Sequence, residues 1–208
     1  MYTKRVKNFL KNLLFISILS INTFAVTELD FEFGYDKQVF GSERENKSTS
    51  RSYSGSLAFY FLSMTAIEFN YSQTEDRTTS QYDISDGVII LDSQFDNIRS
   101  TTYGVGIRQA LASRNSFLIP TISIGWARQK FVDSSETTYT SVSSGQSIVI
   151  RDEEEVREAD SVFASFGLKI RLTKRLSLKG SVNTVFEAFE FNQAKDQLSY
   201  RAGLSWIF

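Results

Sequence analysis

The chain contains no cysteine and no histidine. Without cysteine it can close no disulfide and offers no thiolate to a metal. Without histidine it lacks the commonest general base and the commonest metal ligand. One proline and eleven glycines in 208 residues exclude a low-complexity chain. Long hydrophobic runs are also missing: after residue 25 nothing approaches the roughly 20 apolar residues that a spanning helix needs. A hydropathy scan would therefore read the chain beyond that point as soluble, but membrane strands leave only a weak signal in such a scan. Aromatics, in contrast, are plentiful. Eighteen Phe and nine Tyr favour strands over helices.

The first 25 residues stand apart. Lys4, Arg5, Lys7 and Lys11 form a basic start without an acid, followed by the uncharged run Leu13 to Phe24. Thr23 and Ala25 are small residues at −3 and −1 of a cut before Val26. This is the layout of a secretory signal peptide, and the run is too short for a bilayer anchor. The expectation is a signal over residues 1–25 and a single mature domain over residues 26–208. Taking those four cations from the 23 basic residues leaves 19 against 24 acids, net −5, which is no nucleic-acid footprint.

Beyond Val26 the dominant period is two. Leu29, Phe31, Phe33 and Tyr35 alternate with Asp30, Glu32, Gly34 and Asp36. Comparable runs lie around Leu57–Phe61, Ile67–Tyr71, Tyr103–Ile107, Ile122–Trp126, Val162–Leu172 and Leu176–Phe186, and the last is Leu198–Phe208. Strict alternation marks a strand with two unlike faces, and no helical stripe of similar quality competes. The connections alternate as well. Leu62–Met64, Leu111–Ser116 and Thr173–Arg175 are of hairpin size. Gly41–Ser52, Glu75–Asn97, Asp133–Asp160 and Glu187–Asp196 are longer and polar. In hydrocarbon a sheet must close on itself to satisfy its backbone. The prediction is an all-β fold, an eight-stranded antiparallel up-and-down transmembrane β-barrel. Its long loops lie at one end, its tight turns and both termini at the other.

Alternation alone does not say which face is outside, since a soluble ligand-binding barrel turns its apolar set inward. Three features favour apolar residues outward. The polar set is rich in small residues, among them Gly34, Ala58, Gly104, Gly106, Gly125, Gly167, Ser181 and Gly203, and these suit the narrow interior of eight strands. It carries charges of both signs, Glu32, Glu68, Arg108, Lys169, Lys179 and Arg201, which can pair across a small lumen. Tyr35, Tyr71, Trp126, Tyr200 and Trp206 stand near strand ends, as in interfacial belts.

The final strand, with Tyr200, Ala202, Leu204, Trp206 and Phe208 at alternate positions, resembles the C-terminal signature of Gram-negative outer-membrane β-barrel proteins. The pattern over residues 26–208 is similar to the small eight-stranded barrels, such as the OmpA transmembrane domain and OmpX-like or OmpW-like porins. The resemblance implies that those five residues form the signal read by the barrel-assembly machinery. It also implies residence in the outer membrane among its lipids and lipopolysaccharide, and since the sequence stops with the last strand, no peptidoglycan-binding domain is expected after the barrel. Barrel enzymes of this kind use a histidine, and no Ser–Lys or paired-carboxylate spacing replaces it here. Neither an enzyme nor a cofactor is expected. The expected role is structural or surface-interacting through the long loops, as a monomer, and a narrow pore is the alternative. The six inward charges are either an exchangeable gate or a permanent plug, and the usually filled interior of eight strands favours the plug. Large inward residues such as Tyr60, Lys169 and Arg201 would occupy the same space. In the loops, Arg151–Asp160 reads as a solvated charge run, or as a cation-bridged contact to lipopolysaccharide phosphates. The apolar stretch within Asp86–Asp92 reads as a strand raised above the membrane or as a contact surface, and Ser147–Ile150 is a candidate to pair with it.

Overall fold

A computed structural model describes residues 26–40, 46–85, 88–188 and 198–208. The signal expected over residues 1–25, residues 41–45 of the first expected loop, residues 86–87 at the start of the apolar stretch of the second, and residues 189–197 of the last lie outside the described residues. The strands are β1 (Val26–Phe40), β2 (Asn46–Tyr60), β3 (Thr65–Ser85), β4 (Ile89–Ala110), β5 (Leu118–Ser141), β6 (Ser147–Arg151), β7 (Glu155–Arg171), β8 (Leu176–Glu187) and β9 (Leu198–Ile207). All but β6 form one antiparallel ring in which each strand pairs with its ring neighbours, β4 pairing with β5 and β1 with β9. The fold is thus the eight-stranded antiparallel barrel that the alternation predicts. Val26 opposes Tyr60 and Glu28 opposes Ile207, so the start of β1 and the end of β9 share the tight-turn end.

The pleat sorts the two faces. Phe31, Tyr103, Ile124 and Tyr200 are 58–70% exposed, whereas Asp30 and Arg108 are 1% exposed. More than two dozen large apolar side chains form an outer band, from Phe59, Ile67 and Ile107 near the tight turns to Tyr53, Tyr71 and Tyr103 further along. Such a surface far exceeds the few hundred Å² of contiguous apolar patch that a soluble monomer exposes. Hydrocarbon is the environment it fits. The rings on this band pack across strands, Phe33 with Tyr53 at 5.2 Å, Tyr71 with Tyr103 at 5.2 Å and Phe59 with Phe69 at 6.3 Å between centroids.

The inward small residues are needed for closure. Gly106 faces Gly125 across the β4–β5 ladder, and the Phe163 ring lies over both. A Cβ on Gly106 would stand 2.7 Å from the ring's Cζ, and one on Gly125 2.5 Å from its Cε1. At the β1–β9 seam, Gly203 faces Glu32, where a Cβ would meet the Glu32 Cα at 2.6 Å. A larger residue at any of these positions would force backbone apart.

The long loops are the main correction. Residues expected as loops are largely strand. β2 begins at Asn46, the β3–β4 hairpin runs on to Ser85 and Ile89, and β5 reaches Ser141. The reason is physical. Beyond the band no side chain has to meet lipid, so Ser, Thr and charged residues occupy both faces and the alternation fades, while the backbone ladder continues. Ile89–Leu91 is strand, as one of the two readings had it. Ser147–Ile150 does not pair with it, because each lies against an opposite edge of β5. Thr140 is registered with Ile90 on one side and with Ser147 on the other.

Candidate functional site: an ion cluster across the lumen

β1 sends Glu28, Asp30 and Glu32 into the lumen at successive inward positions. Glu68 comes from β3, Arg108 from β4, Lys169 from β7, Lys179 from β8 and Arg201 from β9. Arg108 is the hub. Its Nε donates to Glu68 Oε2 at 3.0 Å and its Nη2 to Glu68 Oε1 at 2.6 Å, a bidentate pair. Nη1 reaches Glu28 Oε1 and Asp30 Oδ2, both at 2.7 Å, and Nη2 also donates to Ser56 Oγ at 2.8 Å. The Ser56 hydroxyl donates in turn to Asp30 Oδ2 at 3.1 Å. Lys169 Nζ donates to Glu28, and Lys179 Nζ donates to Asp30 Oδ2 at 2.7 Å. The Lys179 ammonium also stands 3.3 Å from Glu32 Oε1, within ion-pair distance but not aligned for a hydrogen bond.

The cluster holds four carboxylates and four cations. Burying any one of them alone would cost several kcal/mol, and such groups persist only when paired and hydrogen-bonded. The guanidinium of Arg108 meets this need because its donors lie in a rigid planar fork. Arg201 is the exception. It lies against Gly34, which leaves room for it, but forms no ion pair with any described residue, and its Nε has no hydrogen-bond partner.

The lumen narrows along its axis. On the loop side is a cavity of about 430 Å³ with Asp76, Gln129, Glu187 and Arg201 in its wall. Below it a pocket of about 40 Å³ is bounded by Glu32, Glu68, Asn70, Phe163, Lys179 and Arg201. The ion cluster follows, and Tyr60 caps it on the tight-turn side. The Tyr60 hydroxyl donates to Glu28 Oε2 at 3.1 Å, and the guanidinium of Arg114 sits 4.1 Å above its ring.

Of the six charges singled out in the sequence, the structure joins Glu68 to Arg108 and brings Glu32 to Lys179. Lys169 binds Glu28, and Arg201 stands apart. Glu28 and Asp30 were the omissions, although their spacing with Glu32 on one strand face is plain in the sequence. In the Arg151–Asp160 run, Arg151 pairs with Glu136 at 2.9 Å, Arg157 with Asp133 at 2.6 Å and Glu158 with Arg128 at 2.7 Å. Its second half is the start of β7. Among the described residues no group of three acids is arranged to hold a metal. On β9 the outward row Tyr200, Leu204, Trp206 and Phe208 is exposed and apolar, with Ala202 between them.

No family model and no curated protein sequence matches the chain. Solved structures do resemble it. The N-terminal β-barrel domain of Pseudomonas aeruginosa OprF is 15% identical with a TM-score of 0.50, over 88% of this chain and 98% of that one. The outer membrane protein OprG from Pseudomonas aeruginosa is 10% identical with a TM-score of 0.54, over 88% of this chain and 96% of that one. At these identities the likeness is one of fold, and the chain folds as a small outer-membrane-type β-barrel.

Proposed function

We propose that this protein is a small integral outer-membrane barrel with a closed lumen, whose role is structural or surface-interacting and is carried by the strands that rise beyond the membrane. One observation carries the closed lumen: Arg108 on β4 is joined with Glu28, Asp30, Glu68, Lys169 and Lys179 on β1, β3, β7 and β8 in one cluster across the bore. The bonds from Arg108, Lys169 and Lys179 to Glu28 and Asp30 tie β4, β7 and β8 to β1 across the lumen, which supports a plug over an exchangeable gate. The raised hairpins of β3–β4 and β5–β6, which expose Val88, Ile89 and the apolar run Ile148–Ile150, support the surface role. In this reading residues 1–25 are a cleaved export signal. The outward row Tyr200, Ala202, Leu204, Trp206 and Phe208 is what the assembly machinery reads. The barrel is a monomer, and it runs no reaction.

A narrow pore is the second reading, favoured by the 430 Å³ cavity that leads down to Arg201. Refolding in detergent and planar bilayer recording separate the two. Heat-modifiable migration on a gel reports the closed barrel. Bilayers loaded with that material are expected to show no current steps above background at either polarity. Reproducible steps from the refolded barrel would replace the plug by the pore.

A further inference from the structure

Each of the first five strands leaves the apolar band through an aromatic residue, Tyr35, Tyr53, Tyr71, Tyr103 and Trp126 in turn, all exposed on the outer wall. On each, the next charged residue at an outward position is a cation in four cases of five. Lys37 follows Tyr35 by two positions, Arg51 lies two beyond Tyr53, Arg99 four beyond Tyr103, and Arg128 two beyond Trp126. The exception is β3, where Glu75 comes first and Arg77 two positions later. The ladder places Arg51, Glu75 and Arg99 in one row. Glu75 accepts from Arg77 at 2.8 Å and lies 3.5 Å from Arg99, with both guanidiniums half exposed. One carboxylate between two guanidiniums leaves this row net positive. From the aromatic belt to the row of Lys47, Thr79 and Phe95, the outward positions of β1–β4 carry five cations and this single acid. Lys47, Arg51, Arg77 and Phe95 also border a shallow groove of about 200 Å³. The wall is one-sided, because β7 presents Glu158 and Asp160 at the matching height.

We infer that this wall is a docking surface for a phosphate-bearing lipid headgroup of the leaflet on the loop side. Arg51, Arg77 and Arg99 hold the phosphate, and the aromatic and aliphatic band beneath them takes the acyl chains. The occupant follows from continuity and charge. At ~3.3 Å per tilted strand residue, the guanidiniums stand within roughly 5–15 Å of the belt, where headgroups lie. Guanidinium forks match phosphate oxygens bidentately, and each such cation near an anionic surface strengthens binding several-fold. A soluble anion would use the charges but not the adjoining greasy wall, so a lipid-borne phosphate is the fitting partner.

The inference rests on the outer-membrane reading above, and its test keeps the two apart. The full barrel, refolded in neutral detergent and checked by heat-modifiable migration, is titrated with bisphosphorylated lipid A and with the same lipid stripped of phosphate. The phosphorylated form is expected to bind at least tenfold more tightly. The exposed triple variant Arg51→Gln, Arg77→Gln, Arg99→Gln should lose at least that tenfold while its gel shift is retained. The variant Lys174→Gln, Arg175→Gln, at the opposite end, should bind as the parent does. Millimolar inorganic phosphate should not compete. Equal binding of both lipids, an unaffected triple variant, or full competition by inorganic phosphate would overturn the inference while leaving the barrel intact. Absence of the heat-modifiable form would instead remove the outer-membrane reading.

Discussion

At the scale of the residue, Arg108 decides most. It is fully buried and its fork meets three carboxylates. Replacing it by methionine keeps the volume but leaves Glu28, Asp30 and Glu68 with less positive charge than they need. Removing one partner of a buried ionic set costs about 3–5 kcal/mol, so Arg108→Met should lower stability by that order in urea unfolding of the micelle-bound barrel. Adding Glu68→Leu should recover part of the loss, because an apolar pair needs no compensation. A coupling near zero between the two changes would mean the bidentate contact contributes nothing. Glu75 offers a gentler test beyond the apolar band. The hydrogen bond from Arg77 is the largest influence on its carboxyl, and with the nearby Arg99 and Arg51 it outweighs the small cost of burial and holds the group below the ordinary carboxylate range. The sign follows from linkage. A lowered folded value means a stabilising contribution fully present above the ordinary carboxylate value and lost progressively as the pH falls from there through the lowered one. Arg77→Gln should bring the Glu75 titration back up toward the ordinary range, as read by carboxyl-carbon NMR. An unchanged midpoint would show that Arg77 does not hold it.

At the scale of the element, the legible and the illegible parts divide at the membrane. The strand cores were legible because lipid on one side and a crowded lumen on the other force period two. Phe31, Phe33 and Tyr35 against Glu32 and Gly34 is that rule written in five residues. The three tight turns followed from the same runs, whose spacing leaves three to six residues between them. Strand ends were not legible. Thr74, Thr78 and Thr79 in β3, or Thr137, Thr138 and Thr140 in β5, are good strand formers, but with water on both faces they carry no alternation to mark them. The separate placement of Ile90 and Ser147 on two edges of β5 was beyond local reading as well, since it depends on which strand of a hairpin folds back. In the lumen, the sequence displayed the charges but not their partners. Glu28, Asp30 and Glu32 share a face on β1, yet which of them meets Arg108 depends on the stagger between β1 and β4 around the ring, which no local spacing encodes.

At the scale of the whole molecule, the barrel is two environments inside one another, and the ion cluster is what separates its two ends. The narrow pocket bounded by Glu32 and Arg201 lies on the loop side of the Arg108 hub, so these two side chains and the hub are barriers in series. Truncating Glu32 and Arg201 to alanine should widen the 430 Å³ cavity downward and still leave the lumen closed, because Arg108, Glu28, Asp30, Lys169 and Lys179 remain tied across it. Adding Glu68→Ala and Arg108→Ala removes the bidentate bridge between β3 and β4 and the hub's reach to β1. In bilayer recordings the parent and the double variant should both be silent, while the quadruple variant, provided that it keeps its heat-modifiable migration, should pass small discrete currents. The quadruple change removes two acids and two cations and leaves Lys169 paired with Glu28 and Lys179 with Asp30, so these currents should show little preference for the sign of the ion. Current from the double variant equal to that of the quadruple would place the barrier at Arg201 and not at Arg108, and the barrel would then be a gated channel whose gate is Arg201, a cation with no ion-pair partner among the described residues.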